Sequence, residues 1–376
     1  MPAPAQRAPT HPVIPSARDE ERSEADRGAA PLSPSPSSSV PSDPSVLIRG
    51  ESSPSAPPPA SVIIPNWNGL RLLRPCLDAL RCQTLPGCEV IVVENASTDG
   101  SREALAAEYP EVRVLAQERN LGFAAGCNVG IRAARGRAIV LLNNDVEVAP
   151  DWLAELTAAL ERHPEAGAVA SRMMSHADRD VLNGAGDLYR VDGTPDSRGV
   201  WQPYGPPYDR EAEVFGASGG AVAYRREMLE EIGPFEERFF MWCEDVDLAW
   251  RARLAGWGAV YAPRAVCFHH GSATGGGALS SYYVGRNTIW VIARNYPGGL
   301  LRKHARAVLG AQWRIARDAL RAWRGAAARA RLRGQLVGLF TAWRWIGHRR
   351  RLLARRRADD AAIEAVLDPV VERESP

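Results

Sequence analysis

From Ser61 to Leu142, short apolar β-branched runs alternate with stretches of helical spacing. Val62-Ile63-Ile64 is stopped by Pro65, Asn66-Trp67-Asn68-Gly69 reads as a turn, and Leu70 to Leu80 carries Leu73, Leu77 and Leu80 on one helical face. Glu89 to Val93 is a second strand, ending in Glu94-Asn95, and Ala96 to Ser101 is a turn and cap leading into a helix over Arg102 to Glu108. Val112 to Leu115 is the third strand, Gly122 to Gly136 a helix of small residues, and Ala138 to Leu142 the fourth strand. Such alternation predicts an α/β fold, a parallel sheet joined by right-handed crossovers.

Beyond Leu142 the pattern loosens. A helix is predicted over Asp151 to Arg162, and Gly184 to Tyr208, rich in Gly, Pro and aromatic residues, reads as a loop over a site. Phe215 to Tyr224 is small and apolar, Arg226 to Ile232 is a short helix ended by Gly233-Pro234, Asp245 to Ala255 is helical, and Ala259 to Tyr261 is a strand. The two ends differ from this middle. Residues 1–59 are dominated by Pro, Ala and Ser, cannot bury enough apolar surface to offset chain entropy, and read as a disordered tail. Residues 60–297 form the main domain, and residues 298–376 a basic helical extension with Trp313, Trp323, Trp343 and Trp345 among many arginines. Basic helices with Trp and Leu on one face read as lying on an anionic membrane surface, and packing of these helices on the main domain is the alternative.

The 376 residues carry a formal net charge of only +2, which hides the asymmetry of an Arg-rich segment from about Leu300 to Arg357 whose one carboxylate is Asp318. At 45% hydrophobic residues the middle of the chain can build a core. The six cysteines show no CxxC pair and no signal peptide precedes them, so neither a zinc site nor a disulfide frame is expected of them. No apolar run reaches the about 18–20 residues that span a bilayer. A cytoplasmic protein is expected, peripheral on the inner face of the cell membrane if the extension binds lipid.

The chemistry concentrates in three polar clusters. The strand Ala138 to Leu142 ends in Asn143-Asn144-Asp145, at the kind of strand end where open α/β sheets bind ligands, and an acidic group there suits a hard divalent cation and a phosphate-bearing substrate. Glu244-Asp245-Val246-Asp247 and the pair His269-His270 follow. The strand ends at Pro65-Asn66, Val93-Glu94 and Leu142-Asn143 should lie side by side and form a cleft for a nucleotide, with Glu94 accepting hydrogen bonds from a base. Asp99 either reaches that pocket or caps its own turn. An enzyme is the leading reading. A nucleotidyltransferase would need a basic, Gly-rich loop after the first strand, yet no basic residue occurs there before Arg71.

VIIPNWNG (Val62 to Gly69), VVENASTDGS (Val92 to Ser101), NLGFAAGCNVGI (Asn120 to Ile131), LLNNDVEV (Leu141 to Val148), the segment Gly233 to Trp257, and HHGSAT with SYYVGRN (His269 to Asn287) together resemble glycosyltransferase family 2, in its rhamnosyltransferase-like branch. The resemblance implies a GT-A nucleotide-diphospho-sugar transferase fold with a mostly parallel central sheet, and inversion at the anomeric carbon. It implies a nucleotide pocket of Pro65, Asn66, Asn68, Glu94, Asp99, Asn120, Gly122, Asn128, Asn143 and Asn144, and Mg²⁺ or Mn²⁺ held by Asp145 and His269. Asn143 stands where many relatives carry Asp, which counts against a two-carboxylate metal site. Asp245 would be the general base, Glu244 would help orient the site, Gly219 and Trp242 would meet donor or acceptor sugar, and Asp247 would contact a nearby Arg. The implied partners are a nucleotide-sugar donor, dTDP-rhamnose or a UDP-sugar, and a cell-surface glycan or lipid-linked glycan acceptor, with no nucleic acid. A catalytically idle nucleotide-sugar-binding or scaffold protein of the same fold is the alternative.

Overall fold

The computed structural model describes residues 56–271 and 277–370. The expected tail therefore lies outside the described residues except for positions 56–59, as do the last three residues of HHGSAT. Strands β1 (Ala60–Asn66), β2 (Glu89–Glu94), β3 (Arg113–Ala116) and β4 (Ala138–Leu142) alternate with helices α1 (Leu70–Arg81), α2 (Ser101–Glu108) and α3 (Phe123–Ala133). All four strands run parallel, with β1 between β4 and β2 and β3 outside β2. Their apolar runs are continuous because both faces are covered. Val62, Ile64, Val92, Val140 and Leu142 pack on one side with Leu73 and Leu77 of α1. Ile63, Ile91, Val93, Ile139 and Leu141 pack on the other with Cys127 of α3.

The second half departs from a parallel sheet. The chain continues through β5 (Val146–Val148), α4 (Trp152–Arg162), β6 (Ala166–Ser175), β7 (Leu182–Gly184), the hairpin β8 (Asp187–Tyr189) and β9 (Pro195–Ser197), β10 (Ala212–Glu213), β11 (Ala221–Arg225), α5 (Arg226–Ile232), α6 (Glu244–Leu254) and β12 (Gly258–His269). β11 is antiparallel to both β4 and β6, and β12 runs parallel to β6. The full order is β10-β12-β6-β11-β4-β1-β2-β3, with β5 on β12 and β7 on β6, a mixed and mostly parallel sheet. The segment expected to be loop, Gly184 to Tyr208, contains the hairpin. The strand expected over three residues runs to His269, past a register shift between Ala262 and Val266.

The C-terminal helices are α7 (Gly277–Asn295), α8 (Gly298–Lys303), α9 (Ala305–Arg321), α10 (Ala326–Thr341), α11 (Ile346–Ala354) and α12 (Asp360–Ala365). They pack on the α/β body through an aromatic cluster in which Tyr189, Phe215 and Trp250 meet Trp290, Tyr296 and Trp345. Trp345 is buried there, whereas Trp313, Trp323 and Trp343 are exposed.

Candidate active site

The parallel strands end together, Asn66 opposite Glu94 and Glu94 opposite Ala116, so their polar termini share one edge of the sheet. Asn144 Nδ2 donates to Asn66 Oδ1 at 2.8 Å, joining the ends of β4 and β1 above Gly69. A Cβ on Gly69 would run into that Asn144 nitrogen, so glycine lets the turn close over the pair without displacing it. The buried Glu94 accepts from the Ser97 backbone at 2.8 Å, and Asn68, at φ +51°, accepts from the Thr98 backbone at 2.8 Å. Pro65, Asn66, Asn68, Glu94, Asn143 and Asn144 thus lie along the terminal edge of β1, β2 and β4.

The other four expected nucleotide contacts, Asp99, Asn120, Gly122 and Asn128, make contacts within the protein. Asp99 takes the capping role: it accepts from Leu70 N at 2.8 Å and from Ser101 N and Oγ at 3.1 and 2.6 Å, tying the starts of α1 and α2 together. Asn120 accepts from Gly122 N at 2.8 Å, and Gly122, at φ +82°, lies against the Phe240 ring. Asn128 donates to Phe235 O and Glu237 Oε1 at 2.9 and 3.0 Å and accepts from Phe235 N at 3.0 Å. With both its N–H groups and its oxygen so engaged, Asn128 clamps α3 to the segment leading into α6.

Asp145 and His269 come together across the β5–β12 pairing, His269 Nε2 lying 3.4 Å from Asp145 Oδ1. That carboxylate oxygen is buried and has no hydrogen-bond donor among the described residues, and the same holds for Asn143 Oδ1. His269 Nδ1 lies 2.8 Å from Asn183 Oδ1. The Asn183 amide oxygen accepts the Nδ1–H, which sets the tautomer and turns the Nε2 lone pair toward Asp145. A buried carboxylate oxygen without a donor, beside an oriented imidazole lone pair, is a donor set that fits a divalent cation.

Asp245 lies in the first turn of α6, accepting from Gly219 N at 3.0 Å and Val246 N at 2.8 Å. Burial raises its pKa above the usual carboxylate range. On β8, Asp187 is pushed up to about 8, by burial first and then by the Asp245 charge. Burial, reinforced by the Asp245 charge, pushes Glu244 well above the ordinary carboxyl range, and its Oε2 has no partner among the described residues. Asp247 is wholly buried between Arg251 and Arg294, at 2.8 and 2.7 Å, and accepts from Asn295.

The chain enters α6 through Phe240, Trp242 and Cys243 at φ +69°, +60° and +64°, a left-handed region that non-glycine residues occupy only when their surroundings hold them. Asn287 of α7 does the holding: its amide nitrogen lies 3.1, 3.0 and 2.6 Å from the carbonyl oxygens of Phe239, Met241 and Trp242. Tyr283, one turn earlier on α7, stacks with Phe240 and Trp242 at centroid distances of 5.3 and 6.2 Å. Sequence reading missed Asn183 and Asp187 altogether. It included Asn287 only as part of a motif, without a role.

The profile of the family described as "Glycosyl transferase family 2" matches residues 61–233. The chain is 32% identical over 218 residues to an N-acetylglucosaminyl-diphospho-decaprenol L-rhamnosyltransferase of Mycobacterium tuberculosis, covering 52% of this chain and 70% of that one. It is 31% identical over 228 residues to the O-antigen biosynthesis protein RfbC of Myxococcus xanthus, covering 58% of this chain but 18% of that longer one. Among solved structures it is similar to the mannosyltransferase PcManGT from Pyrobaculum calidifontis in complex with GDP-Man and Mn²⁺, at TM-score 0.49 and 22% identity over 80% of this chain and 87% of that one. The strand-end motifs, the α/β sheet that carries them and the match to the mycobacterial transferase agree: this chain is a glycosyltransferase and belongs to glycosyltransferase family 2.

Proposed function

We propose that this glycosyltransferase is an inverting, divalent-cation-dependent enzyme that moves rhamnose from dTDP-rhamnose onto a lipid-linked glycan precursor. The observation that carries the reading is the unpartnered Asp145 oxygen facing the oriented lone pair of His269, at the same sheet edge as the strand-end asparagines. The mycobacterial relative's rhamnosyltransferase name supports the choice of sugar and acceptor class. Asp145 and His269 would hold Mg²⁺ or Mn²⁺, which when bound supplies Lewis acidity to the leaving diphosphate. Asn66, Asn68 and Glu94 present polar groups for the nucleotide. Asp245 takes the proton of the acceptor hydroxyl as that oxygen attacks the anomeric carbon. The bond to the phosphate oxygen breaks on the opposite side, and configuration inverts. Burial of Asp245 makes it a stronger base than an exposed aspartate. The test is nucleotide release from dTDP-rhamnose, UDP-glucose and GDP-mannose with Mn²⁺ or EDTA. Metal-dependent release from dTDP-rhamnose is expected, reduced about 100-fold or more in D245N with dTDP binding retained. Undiminished turnover in D245N would sink the assignment of the base.

The extension supports attachment to the inner face of the cell membrane. Among the described residues no helix is long and apolar enough to cross a membrane. Trp313, Trp323, Phe340 and Trp343 are nevertheless 58 to 77% exposed, in a segment that also exposes Arg306, Arg317, Arg321 and Arg324. Such a surface suits shallow insertion among anionic headgroups. Flotation with phosphatidylglycerol vesicles should carry the protein, and a W313A/W323A/W343A variant should stay behind. Equal flotation of both would refute this attachment.

A further inference from the structure

The strands that bring Asp145 to His269 bring a second set of ligating groups together. β5 buries Val146 and Val148 and leaves Glu147 half-buried. His270 follows the last residue of β12, and His176 follows the last residue of β6. Glu147 Oε1 lies 3.0 Å from His270 Nε2 and 3.2 Å from His176 Nε2, and the two imidazoles stack at a centroid distance of 3.6 Å. One ligand atom from each residue lies within 4.8 Å of the others. We propose that Glu147, His176 and His270 form a second metal site, of zinc class, separate from the Asp145–His269 pair.

Three observations support it. In a tetrahedral zinc centre with bonds of about 2.0–2.1 Å, neighbouring ligand atoms lie about 3.3 Å apart, so the two Glu147 contacts are already close to chelating separation. Two imidazole nitrogens and one carboxylate oxygen are softer than a set of oxygens alone, and they favour Zn²⁺ over Mg²⁺. The side chains are 25 to 31% exposed, which leaves a path for the ion and a fourth position for water. The site also has a mechanical consequence. His270 N donates to Asp145 O at 3.0 Å and His176 N donates to His269 O at 2.9 Å, so an ion on these side chains would brace the backbone of both residues at the active-site edge. A plain hydrogen-bonded cluster, both rings addressing one carboxylate oxygen, is the competing arrangement.

The readout is metal binding to the full-length protein stripped of metal, so it stands whether or not the enzyme transfers rhamnose. Titration with Co²⁺ should give the visible ligand-field absorption of a four-coordinate site, abolished by an equivalent of Zn²⁺. D145N should keep that band. H176Q and H270Q should each lose it, with affinity lowered more than about 100-fold, and E147Q serves as a third variant if one histidine variant fails to fold. Far-UV circular dichroism checks folding. No band in the wild type, a band surviving in both histidine variants, or loss of the band in folded D145N would each overturn the proposal.

Discussion

Replacing Asn287 should loosen the entry to α6 without unfolding the protein. Three non-glycine residues there hold positive φ, each at a cost of about 1 kcal/mol or more, so about 3 kcal/mol of strain is balanced locally. The Asn287 amide has two N–H groups, shared among three carbonyl oxygens at 2.6 to 3.1 Å. Removing them forfeits about 1 kcal/mol per bond and strands the Met241 and Trp242 carbonyls, Phe239 O keeping Met241 N and the Arg286 guanidinium, roughly 2–3 kcal/mol in all. The loss is thus comparable to the strain that the contact offsets. At 1.36 kcal/mol per tenfold, opening of the segment should become about 30- to 160-fold more frequent. Amide hydrogen exchange across residues 239–246 of N287A should accelerate by that factor while the β1, β2 and β4 amides keep their protection. N287D has the same shape but offers only acceptors to those carbonyls, so it should accelerate exchange at least as much, which separates lost donors from a simple cavity. Wild-type exchange in N287D would refute the reasoning, because the Met241 and Trp242 carbonyls would then have other donors.

Further outcomes follow from the same geometry. N183L should leave the fold intact but weaken Mn²⁺ binding about 10- to 100-fold by freeing the His269 ring, as calorimetric titration would show; unchanged affinity would mean that strand pairing alone orients the ring. Asp187 has a folded pKa of about 8, above the usual value of about 3.9 for an unfolded aspartate, so the folded state holds the extra proton between those values. The stabilisation this gives is complete below about pH 4 and lost as pH rises through 8, and urea titrations of D187N should lack that decline. W345A should cost about 3–5 kcal/mol in denaturant unfolding by emptying the aromatic cluster, whereas the neighbouring exposed Trp343 should be replaceable by Ala for under about 0.5 kcal/mol.

The elements that were legible beforehand are those whose signal is local. β1, β2 and β4 are β-branched runs buried on both faces, and α1 shows its packed stripe at Leu73, Leu77 and Leu80, so the chemistry of neighbouring residues suffices. β6 escaped notice because Ala166–Ser175 is built of Ala, Gly, Ser, Met and Arg around a lone Val, with little strand character of its own. β12 was cut short because Pro263 and Arg264 interrupt it, and the register shift that absorbs them is a property of its pairing with β6. The reversal at β11 is likewise invisible locally, since an apolar strand reads the same in either direction.

The polar ends of the first strands, and the residue types gathered there, follow from the order of amino acids, because strand period and turn chemistry act over a few residues. Which of those groups face one another does not. Asn183 reaches His269 across 86 positions, Asn287 reaches Trp242 across 45, and Glu147 reaches His270 across 123. Asp99 was equally suited to a pocket or a cap until Leu70 and Ser101 came within reach. Trp343 and Trp345 lie two residues apart, yet only Trp345 enters the core. Local pattern is set by neighbours along the chain. Orientation, unpartnered oxygens and shifted proton affinities come from neighbours in space, and only the packed structure brings those together.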